Sequence, residues 1–176
     1  MGPASSRPNH RSAVLALLLG AGCGGTSAAE TRWLSLMAEI RSKYPEVPHR
    51  NTEQVRTALA AAEPPIVLDT RRADEFAVSH LAGARNVPSG SDLVAALGTT
   101  PKDRRILVYC SVGYRSAAAA RVLRAAGFTA VENYLGSIFA WANDGLPLIG
   151  PDGPTRQVHP YDSHWGELLR PELRAR

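Results

Sequence analysis

The segment Cys110-Ser111-Val112-Gly113-Tyr114-Arg115-Ser116 brings a thiol, a glycine and an arginine together in one short stretch. It follows the apolar run Ile106 to Tyr109 and precedes an alanine-rich stretch that reads as a helix from Ser116 to Ala126. At a strand-to-helix junction successive backbone N–H groups converge on one point and the helix dipole adds partial positive charge, so the loop is a cradle for an anion. A thiol at its edge and beside an arginine ionises below the free value of about 8.5, which makes Cys110 a candidate nucleophile. Gly113 lets the loop turn tightly, and Arg115 offers a forked donor to a second anionic group. The competing reading is a Cys that packs as a small apolar residue at the end of a core strand. The coincidence of Cys, Gly and Arg at one turn favours the nucleophile.

The elements that must hold this loop alternate. Ile66 to Leu68 and Ile106 to Tyr109 read as buried parallel strands. Between them lie a short helix at Ala73 to Val78, a turn at His80 to Gly83, a strand at Ala84 to Val87 and a helix from Ser91 to Leu97. Upstream, Trp33, Leu34, Met37 and Ile40 mark an amphipathic helix from Trp33 to Tyr44. Val47 to Arg50 reads as an edge strand, and Asn51 with Gln54 opens a helix running to Ala62. Downstream come a strand at Ala130 to Asn133 and a helix at Ser137 to Asn143, and Gly127 ends the alanine-rich helix with Phe128 folding back on Leu123. Strands alternating with helices imply an α/β layer structure. Residues 150–176 read as a tail that lays aromatic residues on the domain surface.

The chain has 176 residues, 44% hydrophobic and 20% charged, enough for one domain with extensions. Its net charge of +4 is carried by scattered arginines, which argues against nucleic acid as a partner. Two Cys and five His without close pairing give no metal site, and no cofactor is implied. Residues 1–22 carry Arg7 and Arg11, then the uncharged run Ala13 to Leu19, then Gly20-Ala21-Gly22 before Cys23. This reads as a signal peptide, since the run is far shorter than the roughly 20 residues of a membrane span. Small residues before Cys23 resemble a bacterial lipoprotein cleavage box, although Leu19 stands one position further back than that box places its leucine. The expectation is an exported protein of the cell envelope or periplasm, touching the membrane only through a lipid on Cys23. Cys110 is then the free thiol of an oxidising compartment, a liability unless it is used.

Three stretches carry a resemblance: VLDTRRADEFAVSHLAGARNVP (Val67 to Pro88), ILVYCSVGYRS (Ile106 to Ser116) and ENYLGSIFAWANDGLPL (Glu132 to Leu148). They resemble the single-domain rhodanese-like sulfurtransferases over residues 47–149, with residues 23–46 a tether and helix before the domain and 150–176 an extension after it. The resemblance implies a three-layer α/β fold with a central, mainly parallel sheet of about five strands. It also implies that Cys110 takes a sulfane sulfur from a small anionic donor such as thiosulfate, holds it as a persulfide, and passes it to a thiol or cyanide-like acceptor. Ser111, Val112, Gly113, Tyr114, Arg115 and Ser116 would then bind the donor, and Asp69 and Arg71 would support the loop. Glu75, His80 and Gly83 match positions of structural character, and Ser137 stands where many members have a second glycine.

Two other classes compete. A phosphatase or arsenate reductase would use a similar cradle, but four residues separate Cys110 from Arg115 where related phosphatases have five. A non-catalytic rhodanese-like binding module usually lacks the Cys that is present here.

Overall fold

The computed structural model describes residues 27–176 together with the isolated Gly2. The expected signal peptide and the expected lipidation at Cys23 lie outside the described residues. Strands β1 (His49–Arg50), β2 (Ile66–Asp69), β3 (Arg85–Asn86), β4 (Ile106–Tyr109) and β5 (Val131–Tyr134) form one sheet. Their order is β1-β5-β4-β2-β3 and every neighbouring pair is parallel, as expected. The central strand β4 is buried along its whole length, because its sequence Ile-Leu-Val-Tyr is apolar on both faces and helices flank the sheet.

The helices are α1 (Ala28–Lys43), α2 (Thr52–Leu59), α3 (Ala73–Val78), α4 (Leu93–Leu97), α5 (Tyr114–Ala125) and α6 (Ser137–Asn143). α5 packs on β4 and β5 and touches α4, while α2 touches α6. Going from β2 the chain builds outward to β3, then returns past β2 to β4 and on to β5. The reversal falls between β2 and β4, and Cys110 leaves the carboxyl end of β4 there, at the position where open parallel sheets bind ligands.

Several boundaries differ from the sequence reading for local reasons. α5 begins at Tyr114 rather than Ser116, because Gly113 at φ 111° is its N-cap, so Tyr114 and Arg115 occupy the first turn. α4 begins at Leu93, since the Asp92 carboxylate accepts from the N–H groups of Val94 and Ala95. α2 has the expected capping box of Asn51 and Gln54 but stops at Leu59, short of Ala62, because the exposed Ala60, Ala61 and Ala62 have nothing to bury. α1 starts at Ala28 under a Ser27 cap and buries Leu36, Met37 and Ile40, whereas Leu34, expected on the inner face, is 57% exposed.

The chain beyond residue 149 lays Trp165 against the domain as expected and, beyond that expectation, sends apolar residues into the core. β6 (Leu148–Gly150) and β7 (Gly153–Thr155) form an antiparallel hairpin, followed by α7 (Ser163–Gly166) and a 3-10 turn at Pro171–Leu173. Val158, Leu168, Leu169 and Leu173 are buried. The Asn143 amide donates to the Leu168 carbonyl (2.8 Å), and Arg32 of α1 pairs with Glu167 (2.6 Å). α1 and the C-terminal segment therefore meet, and both reach the cleft around Cys110.

Candidate active site

Cys110 is 1% exposed and lies at the base of a cleft of about 410 Å³. Its own backbone is tied down first. The Cys110 N–H donates to the Ser137 hydroxyl (3.1 Å), which donates in turn to the Tyr134 carbonyl (2.7 Å), and the Cys110 carbonyl accepts from Ile138. Ser137 is held at φ 52°, a left-handed conformation that costs a non-glycine residue about 1–2 kcal/mol. Its two hydrogen bonds offset that cost, which explains how a serine occupies the position where many members of the resembling family carry glycine.

The loop closes around the sulfur. The Gly113 N–H donates to Sγ at 3.2 Å, and the Ser116 hydroxyl lies 3.5 Å from it. The backbone N–H groups of Ser111, Val112, Tyr114 and Arg115 meet no acceptor among the described residues, so they remain available to an incoming anion. Gly113 is required twice over: its φ of 111° disfavours a side chain, and a Cβ there would sit 3.2 Å from the Tyr134 carbonyl oxygen and 3.3 Å from the Gly136 nitrogen. Burial pushes the Cys110 thiol up, but the Arg115 charge, the Ser116 hydroxyl and the N–H groups of Ser116 and Gly113 outweigh it. The net shift is downward.

Arg115 is not a free fork. Its two η nitrogens reach the Glu75 carboxylate at 2.9 and 2.8 Å, and Nη2 also donates to the Ser111 hydroxyl (2.9 Å), which donates to Glu75 (3.1 Å). Glu75 is fully buried and further accepts from the Arg72 N–H (3.0 Å), so its acceptor sites are filled. Burial alone would raise the Glu75 carboxyl, but the Arg115 guanidinium holds it below the usual range. The sequence marked Glu75 only as structural; its distance of forty residues from Arg115 hides the pairing.

Asp69 and Arg71 do not enter the cleft. They pair with each other in full burial, Arg71 Nη2 to Asp69 Oδ2 at 2.7 Å, and Arg71 continues to the carbonyls of Glu75 (3.2 Å) and Ser79 (2.6 Å). They hold α3, and with it Glu75, against the end of β2. His80 spends its Nδ1 on the Phe76 carbonyl (3.1 Å) and stacks on the Phe76 ring, so it too fastens α3 rather than facing the sulfur.

Asn133 and His49 were not singled out by the sequence. The Ser116 hydroxyl donates to Asn133 Oδ1 (2.6 Å), whose amide donates to the Gly113 carbonyl (3.1 Å) and to His49 Nδ1 (3.0 Å). His49 Nε2 then donates to the Tyr44 carbonyl (3.1 Å), and burial lowers its pKa, so the ring is a neutral brace behind the loop. The signal was an asparagine inside the buried strand β5, where an amide survives only if all its bonds are made. The cleft's far walls are Leu36 and Glu39 of α1 with Tyr161 and Trp165 of the C-terminal segment, none of them foreseen.

Comparison with known proteins agrees with this arrangement. Residues 51–144 match the model of the Rhodanese-like domain family. The chain is 33% identical over 103 residues to a sulfurtransferase of Allochromatium vinosum, covering 58% of this chain and 95% of that protein. It is 35% identical over 91 residues to the chloroplastic thiosulfate sulfurtransferase 16 of Arabidopsis thaliana, covering 46% of this chain and 76% of that protein. Among solved structures it resembles a rhodanese-like domain from Anabaena sp., with a TM-score of 0.54 and 29% identity over 58% of this chain and 79% of that one.

Proposed function

The chain belongs to the rhodanese-like domain family, and from that premise we propose that it is a sulfurtransferase that moves a sulfane sulfur from thiosulfate or a related anionic donor to a thiophilic acceptor through a persulfide on Cys110. The observation that carries this reading is a buried thiol held below its ordinary pKa inside a ring of unused N–H donors. The Cys110 thiolate attacks the outer sulfur of thiosulfate. An Sγ–S bond forms, the donor's S–S bond breaks, and its electron pair leaves with sulfite. The persulfide anion then faces the N–H groups of the loop, which favour a charged sulfur over a neutral one. An acceptor such as cyanide attacks that outer sulfur, thiocyanate departs, and the electron pair returns to Sγ as thiolate.

The four-residue spacing from Cys110 to Arg115 supports sulfur over phosphate as the atom in the cradle, and the presence of Cys110 speaks against a binding module without catalysis. Intact mass after thiosulfate treatment tests the reading: the wild type gains one sulfur atom and Cys110→Ser gains none. A gain that persists in Cys110→Ser, or none in the wild type, overturns it. Export and a lipid anchor at Cys23 complete the proposal, on the strength of the uncharged run Ala13 to Leu19 and the small residues before Cys23.

A further inference from the structure

The walls of the cleft come in large part from outside the stretch that matches the family model, residues 51–144. Leu36 and Glu39 belong to α1, and Tyr161 and Trp165 to the C-terminal segment. A volume of about 410 Å³ falls within the range of roughly 300–1,000 Å³ typical of sites for organic molecules, and an inorganic oxyanion leaves most of it unfilled. The lining is also mainly apolar and aromatic, with Leu36, Val112, Tyr114, Tyr161 and Trp165 facing the sulfur's approach.

Charge points the same way. Arg115 is the cation of the lining among the described residues, and Glu75 already occupies both of its η nitrogens. Nearby Arg72 is bound by Asp74, and Lys43 rests on the Tyr114 hydroxyl. Glu39 adds a negative charge to the wall. A dianion such as thiosulfate therefore finds loop N–H groups for its sulfur end, while Arg115, the cation of the described lining, is already paired with a carboxylate.

Tyr161 supplies an independent sign. It is held at φ 71°, with the Asp162 N–H donating to the Pro160 carbonyl across it (3.0 Å) and its own N–H donating to His159 Nδ1 (2.9 Å). This is the rare, strained form of three-residue turn. It keeps a large ring 36% exposed beside the guanidinium groups of Arg115 and Arg72, which lie 4.9 and 5.1 Å from the ring centre. Strain of this kind persists where the surrounding structure fixes a side chain for use.

Resting on the sulfurtransferase reading above, we propose that the cleft selects an organic sulfane-sulfur donor of single negative charge with an aromatic body, a thiosulfonate R–SO2–S⁻, over inorganic thiosulfate, and that Tyr161 and Trp165 determine this preference. In the transfer, Cys110 thiolate attacks the outer sulfur of the thiosulfonate. The Sγ–S bond forms, the donor's S–S bond breaks, and the electron pair leaves with the sulfinate R–SO2⁻, so no oxidant, reductant or proton is consumed. The R group lies against the aromatic wall and adds contacts that thiosulfate cannot make.

The test compares benzenethiosulfonate with thiosulfate as donors to the full chain, cyanide being the acceptor in both. The wild type is expected to show a higher kcat/KM with benzenethiosulfonate. Tyr161→Gly, which fits the backbone at this position, and Trp165→Leu are each expected to lower the ratio of the two kcat/KM values by roughly five- to thirtyfold. Circular dichroism melts monitor folding, and calorimetric binding of benzenesulfonate to the resting protein reads the aromatic wall without turnover; binding weakens in both variants. Thiosulfate turnover with no preference for the aromatic donor, or a ratio unchanged in both variants, overturns this inference and leaves sulfur transfer standing. Turnover of neither donor, with benzenesulfonate still bound, overturns the sulfurtransferase reading instead.

Discussion

Replacing Arg115 by Met removes more than a contact to a donor, because the buried Glu75 carboxylate is left behind. In the wild type the pair makes two charge-assisted bonds at 2.9 and 2.8 Å, with the Glu75 side chain at 0% and the Arg115 side chain at 25% exposure. Breaking one side of such a pair costs about 3–5 kcal/mol, since the buried carboxylate keeps the Ser111 hydroxyl and the Arg72 N–H but loses the cation that compensated its charge. For a domain of this size that is a fall in Tm of roughly 6–20 °C at pH 7. The double variant Arg115→Met/Glu75→Gln carries no orphan charge and is expected to be more stable than Arg115→Met alone, so a double-mutant cycle by thermal melts should show strong coupling. The pH dependence separates the two proteins further. In the wild type the Glu75 carboxyl is held low, so its contribution is full above the unfolded value and is lost as pH falls through the folded one. In Arg115→Met burial loses its main opponent, with only the Arg72 N–H and the Arg71 charge left against it, so the Glu75 carboxyl rises and acidification toward pH 4 relieves the defect. The stability gap between the two proteins should therefore narrow as pH falls from 7 to about 4. Additive single effects, or a gap that is constant with pH, would refute the argument that Glu75 is charged only because Arg115 faces it.

The remaining predictions address the sulfur, the turn behind it and the N-terminus. In Arg115→Met the pH midpoint for alkylation of Cys110 by an uncharged reagent should move upward, because the nearby cation that favours the thiolate is gone; an unchanged midpoint would assign the thiolate to the loop N–H groups alone. Ser137→Gly should stay within about 1 kcal/mol of the wild type in chemical denaturation, since relief of the left-handed backbone balances two lost hydrogen bonds, whereas Ser137→Ala keeps the strain, loses the bonds and should cost about 2 kcal/mol or more. Cys23→Ser should release the protein from the membrane fraction and abolish acylation of the mature N-terminus; a wild type that is soluble and unacylated removes the anchor.

How much of this was legible beforehand follows from the range of each interaction. The sheet was readable because β2 and β4 are continuous apolar runs punctuated by short helices with local stop signals, and those signals act over a few residues. The loop from Cys110 to Gly113 was readable for the same reason: nucleophile, turn glycine and helix start are neighbours in sequence. Glu75, Asn133 and His49 were not, because each acquires its role from a partner far along the chain, Arg115 for Glu75, Ser116 for Asn133 and Asn133 for His49. Leu34 misled because apolar spacing alone does not say which stripe of α1 meets the core, and Leu36 took the inward place. Tyr161 read only as one more aromatic residue of the C-terminal segment, because a left-handed tyrosine between Pro160 and Asp162 has no composition signature.

The Glu75–Arg115 pair also accounts for the division of labour within the site. An arginine left free beside a thiolate would stabilise it strongly, but it would also hold any bulky anion in the cleft and oppose release of the leaving group. Fixing the guanidinium on a buried carboxylate leaves it close enough to favour the Cys110 thiolate while reducing its pull on the far end of a donor. The attraction for the transferred sulfur then rests with the N–H groups of the loop, which are short-ranged and positioned for one atom. What remains to discriminate between donors is the wall beyond the loop, and that wall is made of α1 and the C-terminal segment, the two parts of the chain that the family match does not include.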